Sequence, residues 1–132
     1  MRIKKTSQYI EGGAGLPSYF TTEIDTGMKW IDGKPIYRKV IEYTPTETIG
    51  ATGQQTNIDI AHNITNMEQC INCIAFNNNH YRFPVFSGTS SLTSGTEILS
   101  VHPTSGIRLR IINDTWSTSN TFYFILEYTK TS

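Results

Sequence analysis

The chain has 132 residues, which sets one domain with a single core as the natural reading. Lysine plus arginine and aspartate plus glutamate each number 11, so no general electrostatic pull toward nucleic acid or an anionic membrane is expected. Apolar residues make up 37% without any run long enough to span a bilayer, so neither membrane insertion nor a nucleic-acid partner is expected, and the abundant Thr, Ser, Asn and Ile favour solvated β-structure.

Met1 to Pro17 has little periodicity and contains the flexible run Gly12-Gly13-Ala14-Gly15. Its basic start (Arg2, Lys4, Lys5) lacks the apolar segment of a signal peptide, so synthesis in a cytoplasm without export by that route is expected. Ser18 to Gly27 reads as a connector with room for one short strand. Residues 1–29 are assigned to an N-terminal arm or attachment linker, and residues 30–132 to a β-sandwich head domain.

After Trp30, Asp32-Gly33 is a tight-turn pair and Lys34-Pro35 forces extended geometry. A strand follows from Ile36 to Tyr43. Tyr37, Ile41 and Tyr43 share one face with Lys39, while Ile36 and Val40 share the other with Arg38 and Glu42. Thr44 to Gln55, with Pro45, Gly50 and Gly53, reads as a turn-rich loop. Ile58, Ile60, His62 and Ile64 alternate cleanly, which places His62 on an apolar face as a hydrogen-bonded core histidine rather than a ligand or base.

Cys70 and Cys73 form a C-x-x-C spacing. There is no second ligand pair for zinc, and the surroundings Gln69 to Phe76 read as a strand. Residues three apart on a regular strand point to opposite faces, so the two sulfurs are expected to stay apart as small buried hydrophobes. No catalytic set, metal site or cofactor site emerges from the spacing, and no cofactor is expected.

Asn77-Asn78-Asn79 is a turn that sets up a hairpin between Gln69–Phe76 and His80–Phe86. Pro84 cannot donate to a ladder, so that second strand is an edge or bends there. Ser87 to Gly95 reads as a loop. Thr96–His102 and Ile107–Asn113 form another hairpin around Pro103-Thr104-Ser105-Gly106, with Arg108 and Arg110 facing outward. Those arginines suit a solvated or subunit-facing surface better than an anion site. Asn113 to Asn120 reads as a polar loop whose Trp116 is either a lid on the core or an aromatic platform. Thr121 to Lys130 is apolar on both faces: Phe122, Phe124, Leu126 and Tyr128 on one, Tyr123 and Ile125 on the other. Short strands, frequent turns and no helical period predict an all-β, antiparallel β-sandwich.

Several of these residues carry a resemblance. Tyr19-Phe20-Thr21-Thr22-Glu23, Thr26-Gly27 and Trp30-Ile31-Asp32-Gly33-Lys34-Pro35-Ile36-Tyr37-Arg38-Lys39 resemble a block that opens the C-terminal β domain of structural proteins of tailed bacteriophages and prophages. Ala61-His62-Asn63-Ile64 and Leu126-Glu127-Tyr128-Thr129-Lys130-Thr131 are similar to later segments of the same family, while residues 77–120 match no motif. The resemblance implies a jelly-roll-like fibre-tip or appendage domain of the virion, a homotrimer, made in the bacterial host cytoplasm. It implies contacts with other virion proteins through the arm and with a host-surface glycan through loops. Receptor-contact candidates are Asn77, Asn78, Asn79, His80, Tyr81 and Trp116; subunit-interface candidates are Tyr123, Ile125, Arg108 and Arg110. The alternative is a capsid or tail decoration, or a head-fibre assembly module, without receptor binding. An enzyme is not expected. A glycan hydrolase is the remote third reading, because Glu23, Asp25, Glu42, Glu47, Asp59, Glu68, Glu97 and Asp114 form no motif.

Overall fold

The structure is a computed structural model and describes residues 18–88 and 93–131. The arm expected at Met1 to Pro17 lies outside the described residues. Nine strands fill most of the rest: β1 (Ile24–Lys29), β2 (Pro35–Tyr43), β3 (Ile49–Ile60), β4 (Met67–Asn77), β5 (Arg82–Phe83), β6 (Val85–Gly88), β7 (Thr93–His102), β8 (Gly106–Trp116) and β9 (Phe122–Lys130). They form two sheets with all pairs antiparallel, in the orders β1-β2-β9-β4-β5 and β3-β8-β7-β6. The chain crosses between sheets from β2 to β3, from β3 to β4, from β5 to β6 and from β8 to β9, while β6, β7 and β8 run as a meander. This is a β-sandwich.

Alternation puts the core between the sheets. Phe122, Phe124, Leu126 and Tyr128 of β9 meet Ile107, Leu109 and Ile111 of β8, all with no exposed surface. At roughly 1.5–3 kcal/mol for each fully buried large apolar side chain, this layer is the main stabilising block. Phe83 and Phe122 stack at 5.5 Å between ring centroids, and Trp116 meets both edge-on.

The expected hairpin of 96–102 with 107–113 forms, and that of 69–76 with 80–86 forms only next to its turn. Ala75 and Phe76 face Phe83 and Arg82 across the 77–80 turn, and β7 pairs with β8 across residues 103–105. Asp32 accepts the Lys34 N–H at 3.0 Å and Gly33 sits at φ +87°, so the Asp-Gly pair makes its turn through the side-chain bond its chemistry offers. Pro84 marks a bend: Arg82–Phe83 belong to the first sheet and Val85–Gly88 to the second.

Within the stretch assigned to the arm, β1 pairs with β2, and Val40 N–H donates to the Phe20 carbonyl. Three expectations change. Residues 49–55 are strand, not loop: Gly50, just before an irregularity between Ala51 and Gln55, and Gly53, within it, are both at positive φ and do not end the ladder with β8. A Cβ on Gly50 would run into the Asp114 carbonyl, so glycine there serves close backbone approach. At its other end β3 stops at Ile60, so His62 and Ile64 are buried beyond the strand rather than in it. Finally, β6 continues to Gly88 and β7 begins at Thr93, so the expected 87–95 loop is mostly ladder; residues 89–92 lie outside the described residues.

His62 is a core histidine in geometry. Its Nδ1 accepts the Ile64 N–H at 3.0 Å, so the ring proton sits on Nε2 and is donated to the His102 carbonyl at 2.7 Å. Lys39 caps the same segment by donating to the carbonyls of His62 and Asn63.

Candidate functional site

Three polar segments meet at one end of the sandwich. In the β4–β5 turn, Asn77 Oδ1 accepts the N–H groups of Asn79 at 2.9 Å and Tyr81 at 3.2 Å, folding the turn around a buried side chain. Asn78 then ties this turn to the β8–β9 loop. Its amide donates to the Ser119 carbonyl at 3.0 Å and accepts the Thr121 N–H at 3.1 Å. Within that loop Asn120 Oδ1 accepts the Ser117 N–H at 2.8 Å. From β8, Asn113 at φ +49° accepts the Gly53 N–H and donates to Ser94 Oγ at 2.8 Å.

These bonds sort the candidate contact residues. Asn77 is withdrawn from the surface, and both ends of the Asn78 amide are occupied, so these two are framework. The framework holds Asn79, His80 and Tyr81 exposed. Trp116 is not an exposed platform: it is 7% exposed, lies at the end of β8 rather than in a loop, and donates its indole N–H to Thr96 Oγ1 at 2.9 Å. The accessible aromatic is Tyr81, 46% exposed, which stands edge-on to Trp116 with centroids 5.6 Å apart.

Tyr81 and Asn79 line a groove of about 800 Å³ with Thr48, Ser94, Asp114 and Ser117, and Trp116 at its base. The Asn79 side chain makes no hydrogen bond to any described residue, whereas one Asp114 oxygen accepts the Thr115 N–H at 2.8 Å. Ser94 and Asp114 fall in the segments 87–95 and 113–120 expected to offer contact loops, but they stand on β7 and β8. Thr48, just before β3, had no sequence signal; it arrives because β3 runs through Gly50, pairing Ala51 with Asp114. His80 lies apart from this groove, in a hollow of about 570 Å³ with Ile74, Phe76, Arg82 and Ile125.

The proposed interface residues separate. Tyr123 and Ile125 lie on the outer face of the first sheet with Val40 and Phe76, forming an apolar hollow of about 360 Å³ flanked by the exposed rings of Tyr19 and Phe20. Arg108 and Arg110 lie on the outer face of the opposite sheet. Each is paired with the carboxylate directly across the ladder, Asp59 for Arg108 and Glu97 for Arg110, so neither is a free anion site.

The cysteines depart from expectation in one respect. Cys70 faces Tyr128 and Asn72 faces Glu127, so Ile71 is an inserted residue and the strand shifts by one. Both Cys70 and Cys73 consequently pack against the core, on the same face and as free thiols. Burial, with Cys70 nearby, pushes the Cys73 thiol up to about 12, far from a reactive thiolate. Among the described residues no group of three His, Cys, Asp or Glu side chains is placed to hold a metal ion. Of the eight scattered carboxylates, Glu23, Asp59, Glu68 and Glu97 are in ion pairs, and Asp114 is the one that lines the groove. Scans against protein-family models, curated proteins and solved structures each returned no match.

Proposed function

We propose that this chain is a virion structural protein of a tailed phage, a jelly-roll-like fibre-tip or appendage domain that recognises a host-surface glycan. The observation that carries the recognition is the groove at the loop end, where a half-exposed Tyr81 ring is held beside hydroxyl, amide and carboxylate groups on a hydrogen-bonded frame. An aromatic face with hydrogen-bonding groups around it is the chemistry that binds a sugar ring, and a rigid frame limits the entropy lost on binding. The virion context rests on the resemblance of residues 19–39, 61–64 and 126–131.

A homotrimer suits the two outer faces. A ring of copies joined head to tail uses two different surfaces on each protomer, and it would cover the half-buried apolar face around Tyr123 and Ile125. Several weak sugar sites on one particle would then multiply in avidity. The test is adsorption of the purified chain to host cells, with Tyr81→Ala beside it. Loss of adsorption at unchanged melting temperature supports the reading; full adsorption by the variant sinks it. A light-scattering mass of one protomer would remove the trimer.

A second reading also has an observation behind it. Tyr19 and Phe20, 63% and 55% exposed, stand beside the apolar hollow directly after the arm. That suits a decoration or assembly module that docks on another virion protein and binds no receptor. Binding of the isolated chain to host cells counts against it.

A further inference from the structure

Charge in the groove narrows the class of glycan. Among its described lining residues Asp114 is the one charged side chain, and it has no cationic partner among the described residues. Thr48 also lines an adjoining groove with Glu47, which adds a second carboxylate at the same end. The cations that sequence proximity would offer are engaged elsewhere. Arg82 lies in the separate hollow with Ile74 and Phe76, and Arg110 is paired with Glu97.

From this distribution we infer that the groove takes neutral or amino sugars and rejects acidic ones. The inference rests on the glycan-binding reading above. The Asp114 carboxylate only accepts hydrogen bonds, while the hydroxyls of Thr48 and Thr115 and the Asn79 amide both donate and accept. An ammonium or hydroxyl donor on the sugar is matched by these groups; a sugar carboxylate or phosphate meets a like charge with no cation among the described lining residues to offset it. One carboxylate a few ångströms away at a surface dielectric discriminates charge by roughly tenfold in affinity, and added salt shrinks the factor.

The experiment binds the full chain to an array of neutral, amino and acidic oligosaccharides at low salt, and repeats it with Asp114→Asn and Asp114→Lys. Asparagine keeps the acceptor for the Thr115 N–H, so the fold is preserved, and melting curves check it. The expected result is binding confined to neutral and amino sugars, a flattened preference in Asp114→Asn and acidic sugars gained in Asp114→Lys. Wild-type binding led by acidic sugars overturns the inference while leaving glycan recognition intact. Binding to no sugar class overturns both. A preference unchanged in both variants also overturns it, because Asp114 would then not set the charge selectivity.

Discussion

Glu23 and Tyr128 lie 105 residues apart in the chain, and the Tyr128 hydroxyl donates to Glu23 Oε1 at 2.6 Å. Lys130 donates to both oxygens of the same carboxylate and sits 5.3 Å from the Tyr37 ring centroid. Four residues that carry the resemblance, two from the opening block and two from the closing strand, are thus in one contact. This contact fastens the entry of the chain to its last strand.

Burial, and then the Glu23 carboxylate, raise the Tyr128 phenol above its ordinary value of 10.0. A phenol that holds its proton more tightly in the folded state contributes stability below the unfolded value and loses it as pH rises. Stability should therefore fall above about pH 10, as urea midpoints across alkaline buffers would show. Tyr128→Phe should cost about 1 kcal/mol near neutral pH and flatten that alkaline decline. An unchanged decline in the variant would place its origin elsewhere.

Two arginine pairs should behave in opposite ways. Arg38 is 6% exposed, holds Glu127 through two nitrogens and stacks under Tyr19, whose ring centroid is 4.7 Å away. Arg38→Ala strands Glu127 and should cost about 3–5 kcal/mol. Arg108 and Asp59 are half exposed, at 50% each, so Arg108→Ala should leave the denaturation midpoint within measurement error. Equal losses in the two variants would contradict this ranking.

Trp116→Ala should cost about 3–5 kcal/mol, because it empties the junction of Phe83, Phe122 and Tyr81 and leaves Thr96 Oγ1 without its donor. Differential scanning calorimetry would read it as a large drop in melting temperature. Loss of host binding without that drop would return Trp116 to the surface.

Cys73 should resist iodoacetamide in the folded protein at pH 8 and react once urea exposes it. Its thiol is pushed up to about 12, and Cys70 is raised in the same direction by burial. Fast native alkylation of Cys73 would contradict the burial on which this rests.

Alternation and turn chemistry made β2, β9 and both hairpins legible, since Asp32-Gly33, Asn77 and Gly106 act within a few residues of where they stand. What escaped were irregularities that only a partner strand reveals. Gly50 and Gly53 look like loop breakers until β8 is laid beside them, and the Ile71 insertion that turns Cys70 inward depends on register with Tyr128. The groove was half legible for the same reason. Asn79 and Tyr81 stand in a visible turn, whereas Asp114 reaches them through long-range pairing that no local pattern announces.

The outermost ladders of this protein are uneven. β1 slips between Asp25 and Lys29, β3 between Ala51 and Gln55, and β4, covered by β5 only at Ala75 and Phe76, slips between Cys70 and Asn72. A straight incoming strand cannot match its amides to a rim with such steps. The remaining rim, β6, pairs evenly but is only 4 residues long. The uneven rims therefore oppose the runaway backbone zippering that ends in amyloid, and favour association through side chains on the sheet faces or through loops.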